Sequence, residues 1–110
     1  MSSLEGFPEQ IGRLPAFDGP FDAHRLEAKG CDVLFATYPA GTVIADHQHV
    51  TDNVGVITAG ELRLTIDGVE TRYRCGDWYR IPPGVVHAAA FDVPSTEIEF
   101  WFRVDDPPPV

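Results

Sequence analysis

Three imidazoles carry the chemical interest of this chain. His47 and His49 flank Gln48 in "ADHQHVTDN", residues 45–53, and His87 follows in "PPGVVHAAA". Residues i and i+2 of a β-strand point to one face, so a strand reading sets His47 and His49 side by side, close enough to chelate one ion. Such a chelate needs a third donor from another strand, and His87 is the candidate. Neutral imidazole suits first-row divalent ions. By spacing alone, a pair of solvated loop histidines is the competing reading. His24, in a stretch rich in proline and glycine, reads as a surface histidine.

The elements that must position these side chains read as β throughout. "CDVLFATYPAG" and "VGVITAG" are apolar, β-favouring runs closed by Pro39, Gly41 and Gly60. In "ELRLTIDGVETRYRC", Leu62, Leu64 and Ile66 alternate with Arg63, Thr65 and Asp67, the period of a half-buried strand. This alternation favours solvent for Arg63 and Thr65. Asp67 and Gly68 form a two-residue hairpin signal. "DWYRIPPG", "VVHAAAFDV" and "TEIEFWFRV" complete the series, and no twelve-residue window shows clean helical periodicity. Short strands separated by frequent turns predict an all-β sandwich or barrel, with a mouth in which a ligand can sit. The boundaries expected are an irregular N-terminal arm over 1–24, a barrel over 25–104 and a flexible tail over 105–110, where "DDPPPV" can continue neither helix nor strand.

The glycines and prolines around the histidines add a second layer. The chain reads Gly41, five residues, His47, one, His49, three, Asn53, six, Gly60, and later Gly76, five, Pro82, one, Gly84, two, His87. This resembles the two signature motifs of the cupin superfamily, G-x5-HxH-x3/4-E-x6-G and G-x5-PxG-x2-H-x3-N, at eight of ten defined positions. The resemblance implies a double-stranded β-helix, a jelly-roll barrel open at one end. It also implies one divalent transition metal (Zn, Fe, Ni, Mn or Cu) held by His47, His49 and His87. Two positions depart from the pattern: Asn53 stands where the motif has glutamate, and Phe91 where it has asparagine. The second departure reads as packing. The first bears on the metal, because Asn53 offers only a neutral carbonyl oxygen as a fourth ligand, and the ion would keep its full charge. Asp52 is a poor replacement, since on a strand it faces away from Asn53.

The resemblance implies an enzyme, a metal-dependent dioxygenase, isomerase or lyase acting on a small carbonyl, carboxylate or sugar-like metabolite. Two alternatives stand beside it. One is a metal-free acid/base enzyme of dehydratase type in which His47 or His87 transfers the proton; the other is a non-catalytic small-molecule-binding module. Homodimerisation is a further family-level expectation. Glu97 and Glu99 share a face of the last strand; if that face points inward, they are acid/base candidates. Tyr38 is a candidate phenolic donor, and Trp78, Tyr79, Phe91, Phe100 and Trp101 are expected in the core or at a dimer interface.

Composition narrows the partners. Seventeen acidic against eight basic residues give a net charge of −9. That disfavours nucleic acid, whose binding draws on clustered Lys and Arg, and equally an anionic membrane surface. No apolar run approaches membrane-spanning length, and the N-terminus lacks the pattern of a signal peptide. A cytoplasmic location is therefore expected, with Cys31 and Cys75 as free thiols.

Overall fold

A computed structural model describes residues 7–104, and among them it shows nine strands and one short 3-10 turn, Ile11–Arg13. The strands are β1 (Asp22–Ala28), β2 (Cys31–Tyr38), β3 (Thr42–His47), β4 (Asp52–Ala59), β5 (Glu61–Ile66), β6 (Val69–Arg74), β7 (Trp78–Ile81), β8 (His87–Phe91) and β9 (Ser95–Phe102). They pair antiparallel in two sheets, β1-β2-β9-β4-β7 and β3-β8-β5-β6, which face each other as a jelly roll. The barrel is all-β, as the sequence predicts. No helix among the described residues is long and apolar enough to cross a membrane.

Local sequence explains most strand ends. Asp67 and Gly68 take positive φ values of 52° and 75°, which closes the β5–β6 hairpin with the twist that flanking strands require. Leu62 and Leu64 turn inward and are 2% and 3% exposed, while Arg63 lies outside, paired with Asp92 and Glu70. Leu34, Ala36 and Tyr38 of β2 and Ile57 of β4 fill the space between the sheets. Strand β9 lies at the centre of the larger sheet, bonded to β2 on one side and β4 on the other.

Two expectations change at the N-terminus. Strand β1 begins at Asp22, inside the segment read as an irregular arm, because Asp22–Ala28 pairs fully with β2. His24 belongs to that strand and is not a surface histidine. Its Nδ1–H donates to the Leu14 carbonyl at 3.2 Å, its Nε2 is buried without a partner, and the Ala16–His24 bridge ties the preceding segment to the barrel. The tail 105–110 and residues 1–6 lie outside the described residues. Cys31 is buried and Cys75 exposed, and both are free thiols.

Leu34 is fully buried against this core. Leu34→Ala is expected to lower the free energy of unfolding by about 2–5 kcal/mol through lost transfer energy and a residual cavity. Denaturant titration would read this as a lower midpoint at unchanged slope.

Candidate metal centre and its cavity

The space between the sheets opens into one cavity of about 430 Å³. His47, His49, His87 and Asn53 all line it, so the structure brings the four sequence-derived candidates to one site. The nitrogens that the three histidines can offer lie within 4.8 Å of one another. Their rings are close: 4.1 Å between centroids for His47 and His87, 4.8 Å for His47 and His49.

Strand geometry explains the convergence, with one correction. In the β3–β8 ladder Ile44 pairs with Ala89 but His47 with His87, so β3 holds one extra residue between them. Without this bulge Ile44 and Asp46 would share the inner face. The bulge turns His47 inward instead, directly across from His87. Strand β3 ends at His47, so His49 is not a strand residue as the spacing argument assumed. Its carbonyl accepts the Gly84 N–H at 2.8 Å, which ties the loop carrying His49 to the proline turn before His87.

The ring orientations suit a metal. Nδ1 of His47 lies 2.8 Å from the Ala45 carbonyl and Nδ1 of His87 lies 3.0 Å from that of Val85. A carbonyl only accepts, so each Nδ1 carries the proton and each Nε2 keeps its lone pair for a ligand role. Burial holds His87 below the ordinary histidine range, and burial with the two neighbouring imidazoles brings His49 to about 4. These two rings are therefore neutral at pH 7, the form that binds metal. The residues present fit a divalent ion.

Asn53 is 5% exposed, and its Oδ1 accepts the Thr51 hydroxyl at 2.6 Å. An amide oxygen has two lone pairs, so one stays free. Asp52, one residue earlier, points out of the barrel and pairs with Arg80 at 2.9 Å, as the strand argument required. Phe91 stacks on Tyr38 with ring centroids 4.0 Å apart, which bears out a packing role.

The inner face of β9 carries Glu97 and Glu99, 2% and 7% exposed, with Trp101 beyond them. Ile98 and Phe100 face the other way, and Phe100 stacks on Trp78 outside the barrel. The Glu99 carboxylate accepts the Tyr38 hydroxyl at 2.5 Å and the Trp101 indole N–H at 2.9 Å. Glu97 accepts the Tyr79 hydroxyl, and Glu99 stands two residues on along the same inner face. Burial raises both carboxyls, Glu97 well above the usual range because the Glu99 charge adds to it, while the donors around Glu99 oppose the shift there. Burial likewise holds both tyrosines as neutral donors. Tyr79 reaches Glu97 across Gly55, where an alanine Cβ would stand 2.5 Å from the ring; only glycine leaves that space on β4.

Sequence reasoning missed the arm residues Phe17 and Phe21, which also line the cavity. They stack on each other at 5.1 Å, and Phe17 meets Trp101 edge-on. Two phenylalanines flanking the Gly-Pro turn in "FDGPF" were the available signal.

A family model described as "Cupin domain" matches residues 34–100. The chain belongs to the cupin family. Solved structures similar to this cupin include an RmlC-like cupin from Shewanella frigidimarina, with TM-score 0.74, 20% identity and coverage of 86% of this chain and 88% of that one. A cupin superfamily protein from Desulfitobacterium hafniense gives TM-score 0.72 at 14% identity, covering 89% and 91%. KdgF from Halomonas sp. gives TM-score 0.72 at 22% identity, covering 91% and 96%. At such identities the likeness concerns the fold. No curated protein matches the chain in sequence.

The buried carboxyl pair should leave a mark on stability. A carboxyl whose folded value is raised contributes stability that is fully present below its unfolded value and is lost as pH rises towards the folded value. Glu97→Gln removes this loss. Relative to the native chain, the variant is expected to gain up to about 1.4 kcal/mol per pH unit as pH rises above the ordinary glutamate value of about 4.3. Thermal unfolding of both proteins across that range checks it; parallel curves would contradict the shift.

Proposed function

We propose that this cupin is a metal-dependent enzyme. His47, His49 and His87 hold one divalent transition ion, Asn53 supplies a neutral oxygen beside it, and the substrate is a small carbonyl or enol compound with an apolar body. The observation that carries this reading is the convergence of three imidazoles, two with their Nδ1 protons tied to backbone carbonyls, at one wall of a ligand-sized cavity. When bound, the ion supplies positive charge that polarises a substrate oxygen. The chain itself supplies the shape. Ile44, Leu62, Leu64 and Ile81 line the cavity with the aromatic rings, and no lysine or arginine is among the described lining residues. Such a wall favours a compact apolar group over a phosphate, and it offers a uronate or sugar acid no cationic side chain.

Elemental analysis of the untagged protein is expected to find near-stoichiometric metal, lost in His47→Ala/His49→Ala at unchanged fold by circular dichroism. Background metal in the native chain, with no uptake on titration, would leave the metal-free acid/base or pure binding readings.

A homodimer belongs to the same proposal. The outer face of the larger sheet carries Leu26, Val54, Trp78, Ile98, Phe100 and Phe102, with Trp78 59% and Phe102 43% exposed. The Asp52–Arg80 pair on that face neutralises itself. Two copies of a chain of net charge −9 can meet there without opposing like charges, about a two-fold axis. Light scattering is expected to give a dimer mass for the native chain and a monomer for Trp78→Glu.

A further inference from the structure

The two carboxyls on β9 are hard to explain as scaffold. Glu97 and Glu99 stand side by side on the inner face of a central strand, both almost fully buried, and both line the cavity that holds the histidines. No cationic side chain among the described lining residues balances them. A buried carboxyl pair of this kind is costly, and two glutamines would fill the same volume with the same hydrogen-bonding reach. The pair is nevertheless held firmly from three strands: Tyr38 of β2 and Trp101 of β9 donate to Glu99, and Tyr79 of β7 donates to Glu97. A carboxylate that accepts two donors stays the better anion, and its partner with one donor keeps the proton. The indole of Trp101 bridges the carboxylate and the histidines, since its N–H donates to Glu99 and its ring meets that of His49 at 4.7 Å. The polar end of the cavity therefore has two parts, an imidazole cluster and a carboxylate beside it.

We propose that Glu99 is a catalytic base that moves a proton on a ketone whose oxygen is directed towards the three histidines, with Glu97, Tyr38 and Trp101 as positioning residues. This rests on the reading of the site given above and names its substrate class: ketones with a hydrogen on the neighbouring carbon, above all α-hydroxyketones with an aromatic or branched body. The step balances without a co-reactant. A Glu99 oxygen takes the proton from the carbon next to the carbonyl. The C–H electron pair becomes the carbon–carbon double bond of the enolate, and the carbonyl π pair moves onto oxygen. Glu99 then returns the proton, either to the same carbon, which restores the ketone and gives exchange, or to the former carbonyl carbon while the hydroxyl proton passes to the former carbonyl oxygen, which gives the isomeric hydroxycarbonyl compound. The protonated Glu97 carboxyl puts no second negative charge beside Glu99, which leaves Glu99 as the anion before the transfer. General-base catalysis of this type contributes about 10²–10⁴-fold.

The test uses the full chain, 2-hydroxyacetophenone as probe and zinc as a redox-inert ion, in D2O without oxygen. Proton NMR follows loss of the CH2 signal, and zinc content is measured on the same samples. The native protein is expected to catalyse exchange, and Glu99→Gln to lose at least about 100-fold while binding zinc as before. Glu99→Asp is expected to recover part of the rate. Native-like exchange by a folded, zinc-loaded Glu99→Gln overturns the proposal and leaves the metal reading intact; absence of exchange by the native protein overturns it as well. If the native chain takes up no zinc, the metal reading fails separately, and the base assignment stands only if zinc-free protein exchanges the probe and Glu99→Gln abolishes it. A readout independent of turnover is the infrared spectrum of zinc-free protein. A protonated-carboxyl band is expected in the native chain and lost in Glu97→Gln, and its absence from the native spectrum overturns the assignment of the proton to Glu97 and of the base role to Glu99.

Discussion

The burial of two carboxyl groups inside an apolar barrel is the constraint on which the interior depends. An unsatisfied carboxylate there would cost several kcal/mol. The cost is offset by the proton on Glu97, which burial holds well above the usual carboxyl range, and by three aromatic donors, Tyr38, Tyr79 and Trp101. Each donor makes its own demand. Tyr79 needs the missing side chain of Gly55, and Tyr38 lies flat against Phe91. The Phe91 ring therefore supports the wall from which Tyr38 reaches Glu99. The aromatic residues of this cupin act as donors and supports as much as fillers of volume.

The second constraint is geometric. Three imidazoles meet because one sheet is irregular where β3 faces β8. The bulge reverses the inside-outside order of β3 just before His47, and the bond from Gly84 to the His49 carbonyl draws the following loop over the site. Both Nδ1 contacts are to carbonyls two residues earlier in the chain. The local backbone thus sets the tautomer of His47 and His87, and the barrel supplies the distance between them. Phe17 and Phe21 enclose the cavity from the N-terminal side, which limits the space available to a substrate.

Much of this was legible in residue order, because turns and alternation are local properties. Asp67 and Gly68 marked the hairpin, Leu62 and Leu64 marked an inward face, and Asp52 was separated from Asn53 by strand parity alone. The spacing of histidines, glycines and prolines pointed to the cupin family and to the residues that gather at the site. His24 was misread because its environment comes from Leu14 and Ala16, residues that reach it only after the chain folds back.

The chain by itself determined the all-β architecture, the cupin family and the identity of the three clustered histidines, since these follow from short-range pattern and motif spacing. Only the tertiary structure decided which face of "TEIEFWF" points inward. By period-two alternation alone the apolar Ile98 and Phe100 would turn inward and Glu97 and Glu99 outward, and the structure has the reverse. The choice came from Tyr38 and Tyr79, donors 61 and 18 residues away in sequence, which give the carboxyls partners inside the barrel.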